Sequence, residues 1–291
     1  MWSEFEYLRP ATMEDAFKLL SKYRDEAAIF AGGTDLLISM RAGLIKPKYI
    51  IDLKAIPELG RIKYGKGQLT VGGVVTVSAL TREEIVQKEF DIFVEAAKVF
   101  GSPQIRNKAT VGGNICRSSP SSDMAPPLLV LDAKLTLASK KGERSIPIKE
   151  FFLGPERTSL KSGEFLKEIQ IPTPPKHTGT AFLKIRRTAF DLAIVNVAAA
   201  VKVSRNKFED VRIALGGVAP TPMRAWKAEE QIRGKACTDE NIEVAAETAS
   251  GETSPISDVR SSAEYRKEVS KILVKRALKA ALGRIGGGTW R

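Results

Sequence analysis

Apolar and polar positions divide the chain into three stretches with different rhythms. Near the start, Ala16, Leu19, Leu20 and Tyr23 fall at i, i+3, i+4 and i+7, one face of a helix, and Thr12 with Asp15 forms a capping box ahead of it. Phe5–Leu8, closed by Pro10, reads as extended; Ala27–Ala31 reads as a buried strand, Leu36–Met40 as a short helix, and Tyr49–Leu53 as a further strand. Pro57 and Gly60 mark a boundary. Beyond it, Arg61–Tyr64 and Gln68–Val71 form a hairpin around Gly65-Lys66-Gly67, and Thr81 with Glu84 gives a second capping box for a helix to about Gln87. A helix over Phe90–Phe100 ends at Gly101, a residue suited to a C-cap. Leu128–Leu131 reads as a buried strand and Lys134–Ala138 as an exposed one, and Ile146–Phe152 and Glu164–Ile171 complete this part.

Pro172-Thr173-Pro174-Pro175 is the clearest linker. After it, Thr180–Arg186, Ala193–Val203 and Val211–Leu215 alternate as three strands, followed by helices over Ala225–Ile232, Glu240–Ala249 and Ala263–Leu282. The last helix turns Val269, Ile272, Leu273 and Ala277 inward and spreads Arg266, Lys267, Lys271, Lys275 and Lys279 over its other faces. The expected fold is α+β, with units at 1–57, 58–175 and 176–291.

Two glycine pairs interrupt this pattern. Thr110-Val111-Gly112-Gly113-Asn114 runs on through a serine-rich turn to Asp123, and Ala31-Gly32-Gly33-Thr34-Asp35 has the same make-up. Adjacent glycines let the backbone turn with positive φ and approach a neighbour closely, and N–H groups freed at such turns form an anion-binding concavity. Neither loop fits the three-glycine dinucleotide fingerprint or the phosphate loop with its lysine-serine ending. On the residues alone, two readings stand: structural turns, or two halves of an anion site. Asp123 likewise suits either a ribose hydroxyl or adenine amine, or the N-cap of a helix beginning near Met124.

Composition narrows the chemistry. With 43% hydrophobic and 27% charged residues the chain has the make-up of a globular protein. It has no apolar run of about eighteen residues, and Met1–Glu6 has no leader-like pattern, so a cytoplasmic protein without membrane insertion is expected. An iron–sulfur cluster or a structural zinc calls on about four ligands. Cys116, Cys237 and the single His177, set in a proline-rich loop, cannot build either. The formal charge of +12 raises nucleic acid as a partner. The basic residues, however, are spread along the whole chain, aromatics are 7%, and no nucleic-acid motif occurs. An anionic cofactor with an acidic protein partner, or a thermophile's surplus of surface lysine, accounts for the charge equally well. The basic last helix is then either a docking face or a solvated one.

The order of motifs resembles a known family. Ala31-Gly32-Gly33-Thr34-Asp35-Leu36, Lys46-Pro47, Ile51-Asp52-Leu53, Ile56-Pro57-Glu58-Leu59, Gln104-Ile105-Arg106-Asn107, Ala109–Asn114, Pro120–Asp123, Phe151–Gly154, Asp191–Val195 and Ala263–Arg266 are similar, in sequence and spacing, to the FAD-binding medium subunit of the molybdenum hydroxylases, the xanthine dehydrogenase and carbon monoxide dehydrogenase type. The resemblance spans essentially the whole chain. It implies an FAD-binding type 2 fold (PCMH or vanillyl-alcohol-oxidase-like) in two parts, then a C-terminal three-stranded antiparallel sheet with helices. It implies that Ala31, Gly32, Gly33, Thr34, Asp35 and Leu36 form a first pyrophosphate loop and Thr110, Gly112, Gly113 and Asn114 a second. Asp123 is then expected at the adenosine part, Phe100 and Gly101 beside the cofactor, Leu166 on the isoalloxazine, and Lys184 near the pyrimidine edge, where a cation favours the reduced flavin.

The same resemblance implies non-covalent FAD, with the molybdenum cofactor and two-iron two-sulfur clusters in a large molybdopterin subunit and a small iron–sulfur subunit of a dimer of heterotrimers. Electrons would pass from the iron–sulfur subunit through the flavin to an external acceptor, and no residue of this chain would be catalytic toward the complex's substrate. The four-cysteine insertion of the hydroxybenzoyl-CoA branch is absent. The alternatives are a stand-alone flavin oxidoreductase of the vanillyl-alcohol-oxidase type, for which no tuned acid–base pair can be named, and a basic nucleotide- or nucleic-acid-binding protein.

Overall fold

The computed structural model describes residues 4–285; residues 1–3, on which part of the reading of the N-terminus rests, lie outside it. The chain opens with β1 (Glu6–Leu8), α1 (Met13–Tyr23), β2 (Ala27–Phe30), α2 (Leu36–Arg41) and β3 (Tyr49–Asp52), and the three strands form a parallel sheet in the order β1–β3–β2. Thr12 caps α1 as its sequence requires: Oγ1 accepts from the Asp15 N–H at 3.1 Å while its hydroxyl donates to the Asp15 carboxylate. Ala16 and Leu20 are buried in a cluster with Ile51, Leu53, Ile56 and Leu59. Strand β2 is not a buried strand, because it lies at the sheet edge, and Ile29 is 36% exposed.

The middle part holds β4 (Ile62–Gly65), β5 (Gln68–Gly72), β6 (Lys134–Ser139), β7 (Gly142–Pro147), a small β8 (Phe152–Gly154) and β9 (Arg157–Thr158) pair, and β10 (Phe165–Pro172). Its antiparallel sheet runs β4–β5–β10–β6–β7. The β4–β5 turn puts both Lys66 and Gly67 at positive φ, the twist that two-residue hairpins favour. Six short helices lie with this sheet, α3 (Val77–Arg82), α4 (Glu84–Glu89), α5 (Asp91–Lys98), α6 (Pro103–Arg106), α7 (Val111–Cys116) and α8 (Ala125–Val130), and all but α6, which buries no residue, contribute to its core.

Three local expectations fail here. Thr76, not Thr81, is the cap: its Oγ1 accepts from the Ala79 N–H, while the Thr81 hydroxyl donates back to the Val77 and Ser78 carbonyls inside α3. Residues 128–131 belong to α8 and its C-terminus rather than to a strand. Pro126 and Pro127 preset helical φ in its first turn, and burial on all sides removes the periodicity that would mark it. Strand β6 is buried rather than exposed, because it is an interior strand, between β10 and β7.

The last part is an antiparallel sheet of β11 (Thr178–Ile185), β12 (Val195–Ser204), β13 (Lys207–Gly216) and β14 (Met223–Arg224), followed by α9 (Trp226–Ile232), α10 (Asp239–Gly251) and α11 (Ala263–Gly283). It has four strands, not three, since β14 is too short to show alternation. Ala198, Ala200 and Ala214 belong to the middle core and Val197, Ala199 and Ile213 to the core under α9–α11, so β12 is covered on both faces. The final helix is not a free basic face. Lys271, Lys275 and Lys279 pair with Glu247, Glu243 and Asp239 of α10, and Arg266 is 2% exposed. Ile272, expected inward, is 47% exposed. Among the described residues no helix is long and apolar enough to cross a membrane.

Candidate functional site

The two glycine loops meet. The position a Gly32 Cβ would take lies 2.2 Å from the Lys108 carbonyl oxygen and 2.9 Å from Ala109 Cα, so the first loop rests directly on the backbone leading into the second. A Gly112 Cβ would lie 2.3 Å from the Gly73 oxygen, and a Gly73 Cβ 2.2 Å from the Leu166 oxygen. Three backbones are thus stacked at glycines: α7 on the end of β5, and that end on the bulge at Leu166 in β10. The second loop is also stitched to the segment before α3, with Val111 N–H donating to Val75 O and Val77 N–H to Ala109 O. Gly33 differs, since it sits at φ +74°.

Between the loops lies a cavity of about 320 Å³, within the usual range for small-molecule sites. Ala31, Gly32, Gly33, Thr34, Asp35, Leu36, Phe100, Thr110, Gly112, Gly113, Asn114 and Leu166 all line it. Among the described residues, the N–H groups of Gly33, Thr34, Asp35 and Gly112 donate to no protein acceptor. Thr110 caps α7, accepting from the Gly113 N–H at 2.9 Å. The Asn114 side-chain oxygen accepts from the Ser122 hydroxyl (2.6 Å) and the Met124 N–H (3.2 Å), which fixes the serine turn. Behind the first loop, Lys54 Nζ donates to the Ala31 carbonyl (3.0 Å) and to Asp52 (2.8 Å), and lies 3.8 Å over the Phe30 ring. Burial works to raise the Asp52 carboxyl, but the bonds from Lys54 and Tyr7 prevail and hold it below its ordinary value.

Three expected site residues do not line the cavity. Gly101 stands just outside, at φ +42°, where Arg106 donates to its carbonyl and to that of Phe100. Asp123 and Lys184 are buried against each other, Nζ to Oδ2 at 2.6 Å, with Asn196 donating to Oδ1 at 2.8 Å. Asp123 is no helix cap either; Ser122 accepts from the Ala125 N–H in that place. Burial pushes the Asp123 carboxyl up, against Lys184 and Asn196, which stabilise its charge. Lys184 Nζ and Arg186 both donate to the Val99 carbonyl, next to Phe100. Two side chains in direct contact cannot stand at opposite ends of an extended dinucleotide, the places the resemblance implies for Asp123 and Lys184. That corrects the expectation that separates them.

Residues 3–174 match the family model described as the FAD binding domain in molybdopterin dehydrogenase, and residues 180–281 match the CO dehydrogenase flavoprotein C-terminal domain. The chain belongs to the FAD-binding medium subunits of the molybdopterin dehydrogenases. It is 34% identical to the carbon monoxide dehydrogenase medium chain of Hydrogenophaga pseudoflava over 96% of this chain and 98% of that one. It is also 34% identical to the xanthine dehydrogenase FAD-binding subunit of Escherichia coli O157:H7, over 99% of each chain. Among solved structures, the carbon monoxide dehydrogenase from Hydrogenophaga pseudoflava that lacks the Mo-pyranopterin moiety superposes with a TM-score of 0.96 at 34% identity, covering 98% of this chain and 100% of that one. Quinoline 2-oxidoreductase from Pseudomonas putida 86 gives 0.91 at 29%, covering 97% and 98%.

FAD is the cofactor of this family, and the cavity of the medium subunit fits its polar part. Unpartnered N–H groups from two loops converge on one space, and their glycines leave no side chain between backbone and ligand. Several lining residues escape a sequence reading: Gly73, Val74, Arg117, Leu160 and Phe165. A signal for the first two exists, because Gly72-Gly73 is a third glycine pair of the same type. Arg117 is the lining cation and is held by Glu156 at 2.6 Å. Cys116 lines the wall as a half-buried thiol whose desolvation pushes its pKa up to about 12, so it stays protonated. Exchanging Thr110 for valine removes the α7 cap without filling the cavity. It is expected to cost about 1 kcal/mol, read as a lowered thermal midpoint with most flavin retained; an unchanged midpoint would refute the cap's role.

Proposed function

We propose that the cavity holds FAD without a covalent link, its pyrophosphate resting on the free N–H groups of Gly33, Thr34, Asp35 and Gly112. The observation that carries this reading is the convergence of those groups, from two loops far apart in sequence, on one space. Phe100 and Leu166 are the apolar walls for the flavin ring. The paired Lys184 and Asp123 stand behind Phe100, with Arg186, as a fixed electrostatic background. When bound, FAD would supply the redox chemistry. This chain's residues bind and orient it, and none is needed as an acid or base.

In this reading the protein is the flavin-carrying subunit of a cytoplasmic molybdenum hydroxylase, receiving electrons from a small iron–sulfur subunit beside a large molybdopterin subunit, in a dimer of heterotrimers. Its fold is of the FAD-binding type 2 class, divided at 57/58 and 175/176.

Gly113→Val tests the site. A Gly113 Cβ would meet only Thr110 Oγ1, at 2.6 Å, with open space otherwise. The new methyl groups therefore enter the cavity, while the fold loses little more than the Thr110 cap. Flavin affinity is expected to fall by about tenfold to a hundredfold, the effect of overpacking by about 1–3 kcal/mol, well beyond the loss in Thr110→Val. Equal flavin content in wild type and Gly113→Val, measured by flavin absorbance after gel filtration, would refute the site. Purification with bound flavin together with molybdenum- and iron-containing chains tests the assembly; a metal-free chain turning over a substrate alone overturns it.

A further inference from the structure

A second cavity, of about 420 Å³, opens where α8, β7, β13 and α9 come together, and it shares no lining residue with the first. Trp226 forms one wall and is 48% exposed. The Arg224 guanidinium lies 4.2 Å from its ring centroid and is held there: it donates to both carboxylate oxygens of the buried Glu229, to Asp132 and to the Leu129 carbonyl. The indole is therefore backed by a fixed cation, with much of its surface still facing water.

The other cations are less committed. Arg212 bridges Asp132 and Asp210 at 2.8 Å each, through Nη1 and Nε, and its Nη2 has no acceptor among the described residues. Arg233 reaches Asp210 only at 3.6 Å. Lys134 and Lys149 line the cleft with no carboxylate in ion-pair range among the described residues, and Lys149 Nζ stands 5.6 Å from the Trp226 centroid. Lining cations outnumber carboxylates even when Glu229 is counted. An excess of positive charge in a concave site draws in anions, and a half-exposed indole offers a stacking face to a planar ring.

We propose that this cleft is a nucleotide-binding site, with the base stacked on Trp226 and the phosphates held by Lys134, Lys149 and Arg212. The paired arginines brace the junction between middle and C-terminal sheets, as Arg224 and Arg212 donate to the carbonyls of Leu129 and Val130. An occupant would therefore sit across that junction and stiffen it. The assignment does not depend on the flavin reading, because the two cavities are separate.

The test is calorimetric titration of ADP into the full-length protein, compared with Lys134→Glu and Lys149→Glu, with flavin content measured in each. Both lysines are surface residues outside the first cavity. Saturable binding at millimolar ADP or below is expected, weakened at least about tenfold in either variant, the worth of a charge-assisted phosphate contact, with flavin content unchanged. Trp226 fluorescence should be quenched over the same range, a change that Trp226→Phe removes. ADP is also part of FAD, so Gly113→Val serves as a second host. Binding that disappears in Gly113→Val but persists in both lysine variants belongs to the first cavity and overturns the proposal. So does equal affinity for tripolyphosphate and ADP, which would remove the stacked ring, or tighter binding of a poly-glutamate peptide, which would make the cleft a protein-docking face.

Discussion

Gly112→Val is expected to yield a protein that holds no flavin and unfolds at a temperature lower by about 5 °C or more, the shift that a loss of a few kcal/mol produces in a chain of this size. The reason is backbone against backbone. A Cβ on residue 112 would stand 2.3 Å from the Gly73 oxygen and 3.1 Å from Gly73 Cα, neither of which can swing aside. Gly73 is itself pinned, its N–H donating to the Lys167 carbonyl at 2.8 Å and the place a Cβ would take only 2.2 Å from the Leu166 oxygen. Relief requires α7 to lift away from β5, which breaks the Val111–Val75 and Val77–Ala109 hydrogen bonds and tilts the Gly112 N–H out of the cavity. Gly113, one residue on, meets only the Thr110 hydroxyl. The pair therefore separates into a glycine that the fold needs and one that the ligand needs. Thermal unfolding and flavin content of the two valine variants measure the difference, and equal thermal midpoints would show that the stacked backbones contribute nothing.

That separation marks how far the sequence can be read. The loops themselves are legible, because close backbone approach and positive φ leave glycine as the favoured residue, and pairs of it stand out. The cap at Thr12 is legible because all its partners lie within three residues. What fails is whatever depends on partners far along the chain. Lys184 and Asp123 are 61 residues apart, and nothing local to either announces the other; only the resemblance gives Lys184 a place near the cofactor, and only the fold shows the two as a buried pair. The lysines of α11 follow helical spacing, but only the packing of α10 beside them reveals that their charge is met. Helix α8 is hidden because its buried surroundings erase the amphipathic pattern, and β14 because two residues carry no period.

The same long-range logic makes Asp258 the second position of large effect. Its carboxylate accepts from Arg266, 2% exposed in α11, at 2.7 Å, and from Arg260 at 2.6 Å. Arg266 uses its remaining reach on the carbonyls of Ile194 and Gly217, while Arg260 touches the Ser121 hydroxyl. Asp258 thus anchors the two arginines that tie α11 and the C-terminal sheet to the serine turn, at Ser121, two residues before Asp123. Burial works to raise the Asp258 carboxyl, but the two arginines overcome it and hold the group well below the usual carboxylate range. A depressed folded-state pKa means that its stabilisation is fully present above about pH 4, the ordinary value for an unfolded aspartate, and is lost as pH falls toward the folded value. Asp258→Asn keeps the shape and removes the charge, leaving Arg266 buried and short of its counter-ion. At neutral pH the loss should be about 2–3 kcal/mol, below the 3–5 kcal/mol of a fully buried pair, because Asp258 keeps some access to water. The gap in thermal midpoint between wild type and variant should narrow steadily as the pH drops below about 4. A gap that stays constant down to acid pH would mean that the arginines do not depend on this carboxylate. The variant should also release flavin more readily than wild type at neutral pH, since the serine turn is fixed from Asn114 on one side and from Arg260 on the other.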